Sequence, residues 1–148
     1  MPTHPLTGAR AHPRTLLLAA VLCVTGCSSP GRTASKKLMH DPIAPASDAL
    51  FNAVVYTNGE LVAAPRTEAD WSRLDDRARA LASAALPLRA LAPATNNDVW
   101  MKQADLYAQA VAEARTAVAR RDVDEVLAAG GKLYASCAGC HDAYVDGN

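Results

Sequence analysis

The sequence predicts an all-α protein, an antiparallel up-and-down four-helix bundle. Four stretches repeat apolar residues at intervals of three and four, as expected for helices with one buried face. No stretch has the pattern of a convincing strand. The connections are short to medium in length, so consecutive helices should pack side by side in opposite directions. Half of the 148 residues are hydrophobic, enough for a single core.

The first 26 residues have the features of an export signal. Basic residues precede an apolar run, residues 15–25, that is too short for a membrane span of about 20 residues. The run ends in Val24-Thr25-Gly26-Cys27, which resembles a bacterial lipobox. We therefore expect removal of residues 1–26 and lipidation of Cys27, with residues 27–37 as a flexible tether. An ordinary cleaved signal peptide is the alternative, and either signal exports the chain to the periplasmic side.

Processing changes the charge balance only slightly. Removal of Arg10 and Arg14 leaves 13 basic and 15 acidic residues in the mature chain. No basic stripe indicates nucleic-acid binding, and no second apolar segment is long enough to cross a membrane. The membrane contact that we expect is the lipid anchor on Cys27. The remaining residues, 38–148, form one helical domain.

The first helix is predicted at residues 41–56. Asp41 can cap it, and Pro42 occupies the first helical position, where a missing N–H costs little. The pair Asn58-Gly59 should end it. Its inward stripe consists of Ile43, Ala46, Leu50 and Val54.

The second helix should begin at Thr67, with Asp70 as the partner in a variant of the capping box. Pro87 should end or kink it. Its inward face consists of Trp71, Leu74, Ala78, Ala82 and Ala85.

The third helix should begin near Asp98, and Arg120-Arg121 suit the negative end of its dipole. Its stripe consists of Trp100, Ala104, Tyr107, Val111, Ala114 and Val118. The two tryptophans, Trp71 and Trp100, are interpreted as core anchors.

The fourth helix should open with Asp122 and Glu125 as a D-x-x-E cap. Its apolar stripe continues into Cys137-Ala138-Gly139-Cys140-His141. At about 100° per residue, Cys140 and His141 lie about 60° and 40° from Cys137. All three side chains therefore project from one face, toward the core.

CxxCH is the attachment pattern of c-type haem. Each thiol adds across one haem vinyl group, and the imidazole of His141 binds the iron as the proximal ligand. Only seven residues follow His141, so we expect any second protein ligand to come from upstream. The predicted cofactor is one covalent haem c on Cys137 and Cys140.

Two other interpretations of the motif stay open. A thioredoxin-like dithiol would place CxxC at a helix N-terminus after a strand, whereas no strand precedes this motif. A zinc site needs about four ligands, and after processing His40 is the one remaining His besides His141.

The chain resembles the class II c-type cytochromes, the cytochrome c′ family, and in particular their exported or lipid-anchored bacterial members. The similarity covers residues 38–144. It is carried by CAGCH on the last helix, by Tyr144 three residues after the His, by GGKLYASC before the motif and by PASDALFNAV on the first helix. The resemblance implies a four-helix bundle with haem on the last helix. The chain departs from the family pattern at Val145, where many members of the family have a basic residue near the proximal imidazole.

The resemblance also implies two possible functions. Electron-transfer members bind the iron through a Met near the start of the first helix, and Met39 is the candidate here; His40 and Met101 are weaker ones. Gas-binding members leave the iron five-coordinate. The expected function is one-electron transfer with His141 and Met39 as ligands, and the alternative is binding of a small gas such as nitric oxide. No catalytic residues are predicted, and the chain is not expected to be an enzyme. A redox partner protein and a homodimer are both compatible with the sequence.

Overall fold

The computed structural model describes residues 30–93 and 97–145. The signal peptide and Cys27, to which several predictions apply, lie outside these residues. Helix α1 spans Pro30–Leu38, a π-helical turn spans Met39–Ile43, and α2 spans Ala44–Phe51. Two short strands follow, β1 at Val55–Thr57 and β2 at Glu60–Ala63. The long helices are α3 at Glu68–Ala90, α4 at Asp98–Arg120 and α5 at Val123–Tyr144.

The described residues are mainly helical, and their helices pack on one another around one core. Helix α4 has the most extensive contacts, with α5 on one side and α3 on the other, while α2 contacts both α3 and α5. The core consists of aliphatic side chains, alanines, two tryptophans and Tyr107. In the part of the chain that the structure describes, no helix is both long and apolar enough to cross a bilayer.

The first helical segment differs from the predicted helix over residues 41–56. It begins at Pro30, bends at Asp41 and ends at Phe51. Asp41 does not cap a helix: it has extended backbone angles (φ −153°, ψ 117°) inside the π-helical turn, and the Asp41–Pro42 peptide bond is cis. A proline ring clashes with the carbonyl four residues earlier in a regular helix, so the backbone leaves the helical conformation at this point. The predicted stripe residues Ile43, Ala46, Leu50 and Val54 are all buried.

The prediction that the chain has no strand is wrong for residues 55–63. β1 and β2 form an antiparallel hairpin, and Asn58-Gly59 is its turn rather than a helix stop. Both turn residues have positive φ, 52° and 85°, as expected for the Asn-Gly turns that favour hairpins. The Tyr56 hydroxyl lies 3.3 Å from Asp124 Oδ1 and ties the hairpin to the start of α5.

Helix α3 begins as predicted. Thr67 Oγ1 accepts a hydrogen bond from Asp70 N, and the Asp70 carboxylate accepts one from Thr67 N, which completes the capping box. Pro87 does not end the helix, which continues to Ala90. Its buried face differs from the prediction. Leu81, Ala84 and Leu88 are buried, whereas the predicted Ala82 and Ala85 are only half-buried.

Helices α4 and α5 begin where they were predicted. All six predicted stripe residues of α4 are buried, together with Ala110 and Ala117. Arg121, with φ 58°, ends α4 in the left-handed conformation. Asp122 Oδ1 then accepts a hydrogen bond from Glu125 N and caps α5. The turn between them also contacts the start of α3, through an ion pair between Arg121 and Glu68.

Candidate functional site

The CxxCH residues lie in the last two turns of α5. The helix continues through the motif to Tyr144. Cys137 and Cys140 are half-buried and unbonded to other cysteines, and His141 is exposed. The burial follows the predicted stripe at Val126, Gly130 and Leu133, which are buried, and at the two half-buried cysteines, but not at His141, which was predicted to face the core and is exposed at the open end of the helix. The predicted site is therefore at the C-terminal end of α5, partly open to solvent.

A small cavity joins this motif to the first helical segment. Its volume is about 30 Å³, enough for one or two water molecules. Residues from the π-helical turn, α3, α4 and α5 surround it. They are Met39, Ile43, Leu88, Gln103, Tyr107, Ser136, Cys137, Cys140 and His141. The structure thus brings Met39 to the same cavity as both cysteines and the histidine.

The kink at Asp41 lies beside Met39 and leaves its side chain facing the core. Met39 is half-buried and packs against the core, whereas the next residue, His40, is exposed. Met101 also packs against the core, but it does not line the cavity. Of the three residues considered as second ligands, Met39 is therefore the one that shares a cavity with the motif.

The environment of the two thiols keeps them protonated. Burial raises the pKa of Cys137, and burial, followed by the repulsion that a thiolate at Cys137 would exert, raises the pKa of Cys140. The thiols also lie near the C-terminal end of a helix, where the dipole disfavours a thiolate. A reactive CxxC dithiol needs the opposite conditions. In residues 30–93 and 97–145, no group of three or more His, Cys, Asp or Glu residues is arranged to hold a metal ion.

Two hydroxyl groups of the cavity wall have hydrogen-bond partners in the protein. The Tyr107 hydroxyl donates to Leu81 O at 2.8 Å, and the Ser136 hydroxyl donates to Leu133 O at 2.7 Å. Burial, followed by the repulsion that a thiolate at Cys137 would exert, raises the pKa of Tyr107. Tyr107 therefore stays protonated and bound to the backbone of α3.

Gln103 is a wall residue that the sequence interpretation missed. Its Oε1 atom is buried and has no hydrogen-bond partner among the described residues. It lies three residues after Trp100 and four before Tyr107, which are both on the inward face of α4. Its position beside the core-facing stripe of α4, unusual for a polar residue, was the sequence feature that could have indicated Gln103.

Aromatic residues hold the end of α5 against the start of α4. The rings of Trp100 and Tyr144 meet edge to face, with centroids 5.3 Å apart. The Tyr144 hydroxyl lies 3.1 Å from Trp100 N, and Trp100 Nε1 donates to Leu88 O at 2.9 Å. Trp71 is also buried. Both tryptophans are core residues, as predicted, and Trp100 also braces the helix that carries the motif.

A larger groove lies away from the motif. It has a volume of about 580 Å³ and runs between α2, β2 and the start of α3. Arg66, Arg73, Arg77 and Asp70 line its polar side, and none of the predicted site residues reaches it. Asp70 is already bonded within the capping box and to Arg73. The chemistry-bearing residues are thus concentrated in the smaller cavity.

Comparison with known proteins adds no relative from which a function could be transferred. No family model matches the chain, and no curated protein and no solved structure matches it either.

Proposed function

We propose that this protein is a one-electron carrier of the periplasmic side, an antiparallel four-helix bundle with one haem c. Cys137 and Cys140 hold the haem covalently, and His141 and Met39 bind its iron. The observation that carries this proposal is the cavity shared by Met39 and the CxxCH motif. These residues come from opposite ends of the described chain, and the fold places them together.

The residues at the cavity suit a covalently attached haem. Two protonated, half-buried thiols lie one helical turn apart, and an imidazole follows directly. Ile43 and Leu88 offer apolar surface to a porphyrin. The cavity is smaller than a porphyrin, so its flexible side chains, Met39 among them, must move apart when haem binds. When bound, the haem supplies an iron that gains or loses one electron.

The position of Met39 favours electron transfer over gas binding. A gas binder needs one axial position of the iron without a protein ligand. Here a thioether lies in the cavity with the proximal histidine. A thioether is a soft ligand that favours ferrous iron and raises the reduction potential. Met39 and His141 together are therefore the ligand pair of a carrier with a raised potential.

The anchor is proposed from the sequence. Cys27 lies three residues before Pro30, the first residue of α1. Helix α1 is mostly exposed and contains no acidic residue in its first turn. A lipid on Cys27 would hold the domain at the membrane surface through this short segment.

Optical spectra of the oxidised and reduced full-length protein test this function. We expect low-spin ferric iron with a weak long-wavelength sulfur-to-iron band, and no carbon monoxide binding. Met39→Ala should make the iron high-spin, lower the reduction potential and allow carbon monoxide to bind. The control Met101→Leu should leave spectrum and potential unchanged, because Met101 lies outside the cavity. High-spin wild-type iron, or a silent Met39→Ala variant, would favour gas binding instead.

A further inference from the structure

Gln103 packs directly on the motif. A Cβ atom added to Gly139 would lie 2.5 Å from Gln103 Nε2, 2.6 Å from Cδ and 2.8 Å from Oε1. Because the three distances are nearly equal, the amide plane faces the Gly139 backbone. Glycine at this position, between the two cysteines, is therefore what lets the Gln103 carboxamide lie against the CxxCH turn.

The same carboxamide has unused hydrogen-bonding capacity. Gln103 Oε1 is one of two buried side-chain oxygen atoms without a partner among the described residues, the other being Ser47 Oγ. A buried oxygen that has lost its water partners and gained none destabilises the fold. The neighbouring hydroxyls of Tyr107 and Ser136 are both satisfied by the backbone. Gln103 Oε1 is thus the buried side-chain oxygen of the cavity wall that has no hydrogen-bond partner among the described residues.

We propose that Gln103 is a positioning residue of the haem site, an inference that rests on the proposed function. Its carboxamide fixes the turn between Cys137 and Cys140 by filling the space above Gly139. Gln103 also lines the cavity proposed for the haem, and its buried, unpaired carbonyl oxygen would bring the negative end of the amide dipole near the iron. That dipole stabilises ferric iron, which has one more positive charge than ferrous iron, and so lowers the reduction potential.

The test compares the reduction potentials of full-length haem-loaded variants. Gln103→Leu keeps the size of the side chain and removes its dipole. We expect the equilibrium constant for reduction to rise about tenfold, which for one electron is 59 mV. Gly139→Ala should shift the potential in the same direction, because the new methyl group displaces the flexible end of Gln103. The double variant should show no larger shift than Gln103→Leu alone.

Gln109→Leu is the matched control on the same helix. Gln109 is exposed and bonds to Glu113 on the surface, so its loss should not move the potential. If Gln103→Leu and Gly139→Ala both take up haem normally and keep the wild-type potential, the inference is wrong and Gln103 is a packing residue. If Gln103→Leu does not accumulate, the potential of Gly139→Ala decides alone. A wild-type protein without haem would instead refute the proposed function.

Discussion

Leu133→Ala tests whether the core supports the helix that carries the motif. Leu133 is fully buried on α5, one turn before Cys137. Removing its three outer carbon atoms loses about 0.8 kcal/mol each, or about 2.4 kcal/mol of transfer free energy. The remaining cavity adds about 1 kcal/mol if its walls relax only in part. We therefore expect the free energy of unfolding to fall by about 3–4 kcal/mol.

Urea denaturation, monitored by far-ultraviolet circular dichroism, measures the change in the free energy of unfolding. In a thermal melt, a domain of about 110 residues loses about 4 °C per kcal/mol, so the melting temperature should fall by about 12–16 °C. Leu127→Ala is the control, because Leu127 is on the same helix but 43% exposed. It should cost no more than about 0.5 kcal/mol. Equal losses for the two variants would refute the proposed packing of α5.

Three further predictions concern other parts of the molecule. Tyr107→Phe should lower the free energy of unfolding by about 1 kcal/mol in urea denaturation, because it removes the buried hydrogen bond to Leu81 O. Hydrogen bonds from Thr67 and Arg66 lower the pKa of Asp70 to about 2, so Asp70 stabilises the fold above about pH 4 and loses this effect as the pH falls through about 2. Asp70→Asn should remove that part of the acid transition in a pH series of melting temperatures, and an unchanged profile would contradict the capping box. Cys27→Ser should move the protein from the membrane fraction to the soluble fraction or leave it unprocessed, whereas a wild-type protein that is already soluble would indicate an ordinary signal peptide.

Local sequence patterns predicted the helix starts of the long helices. Thr67 with Asp70, and Asp122 with Glu125, are neighbours three residues apart, so their capping contacts depend little on the rest of the fold. The buried stripe of α4 was also predicted from a local pattern. Its six apolar residues, between Trp100 and Val118, follow the helix period closely.

The predictions were wrong where tertiary contacts, or two competing local preferences, determine the backbone conformation. Asn58-Gly59 suits both a helix stop and a hairpin turn, and the strands beside it are three and four residues long and mostly exposed. The bend at Asp41 depends on how the chain accommodates Pro42 while it buries Ile43. In α3, the burial of Leu81 and Leu88 is set by the neighbouring helices.

The candidate site was predictable only in part. The motif itself fixed Cys137, Cys140 and His141 as candidates, because attachment chemistry requires that spacing. The proximity of Met39 to them depends on the packing of the first segment against α5, which no local pattern contains. Gln103 is a wall residue because Gly139 leaves room for it, and that contact joins two helices.

Covalent haem content is the most direct test of the proposed function. The full-length protein should be purified, denatured and extracted with acidified acetone, and its intact mass and pyridine haemochrome spectrum recorded. We expect the wild-type mass to exceed that of the Cys137→Ser, Cys140→Ser double variant by one haem, because both proteins carry the same group on Cys27, and we expect a c-type spectrum in the wild type alone. Haem that extracts freely, or a mass difference between the two proteins no larger than that of the two substitutions, would contradict the assignment of a c-type cytochrome.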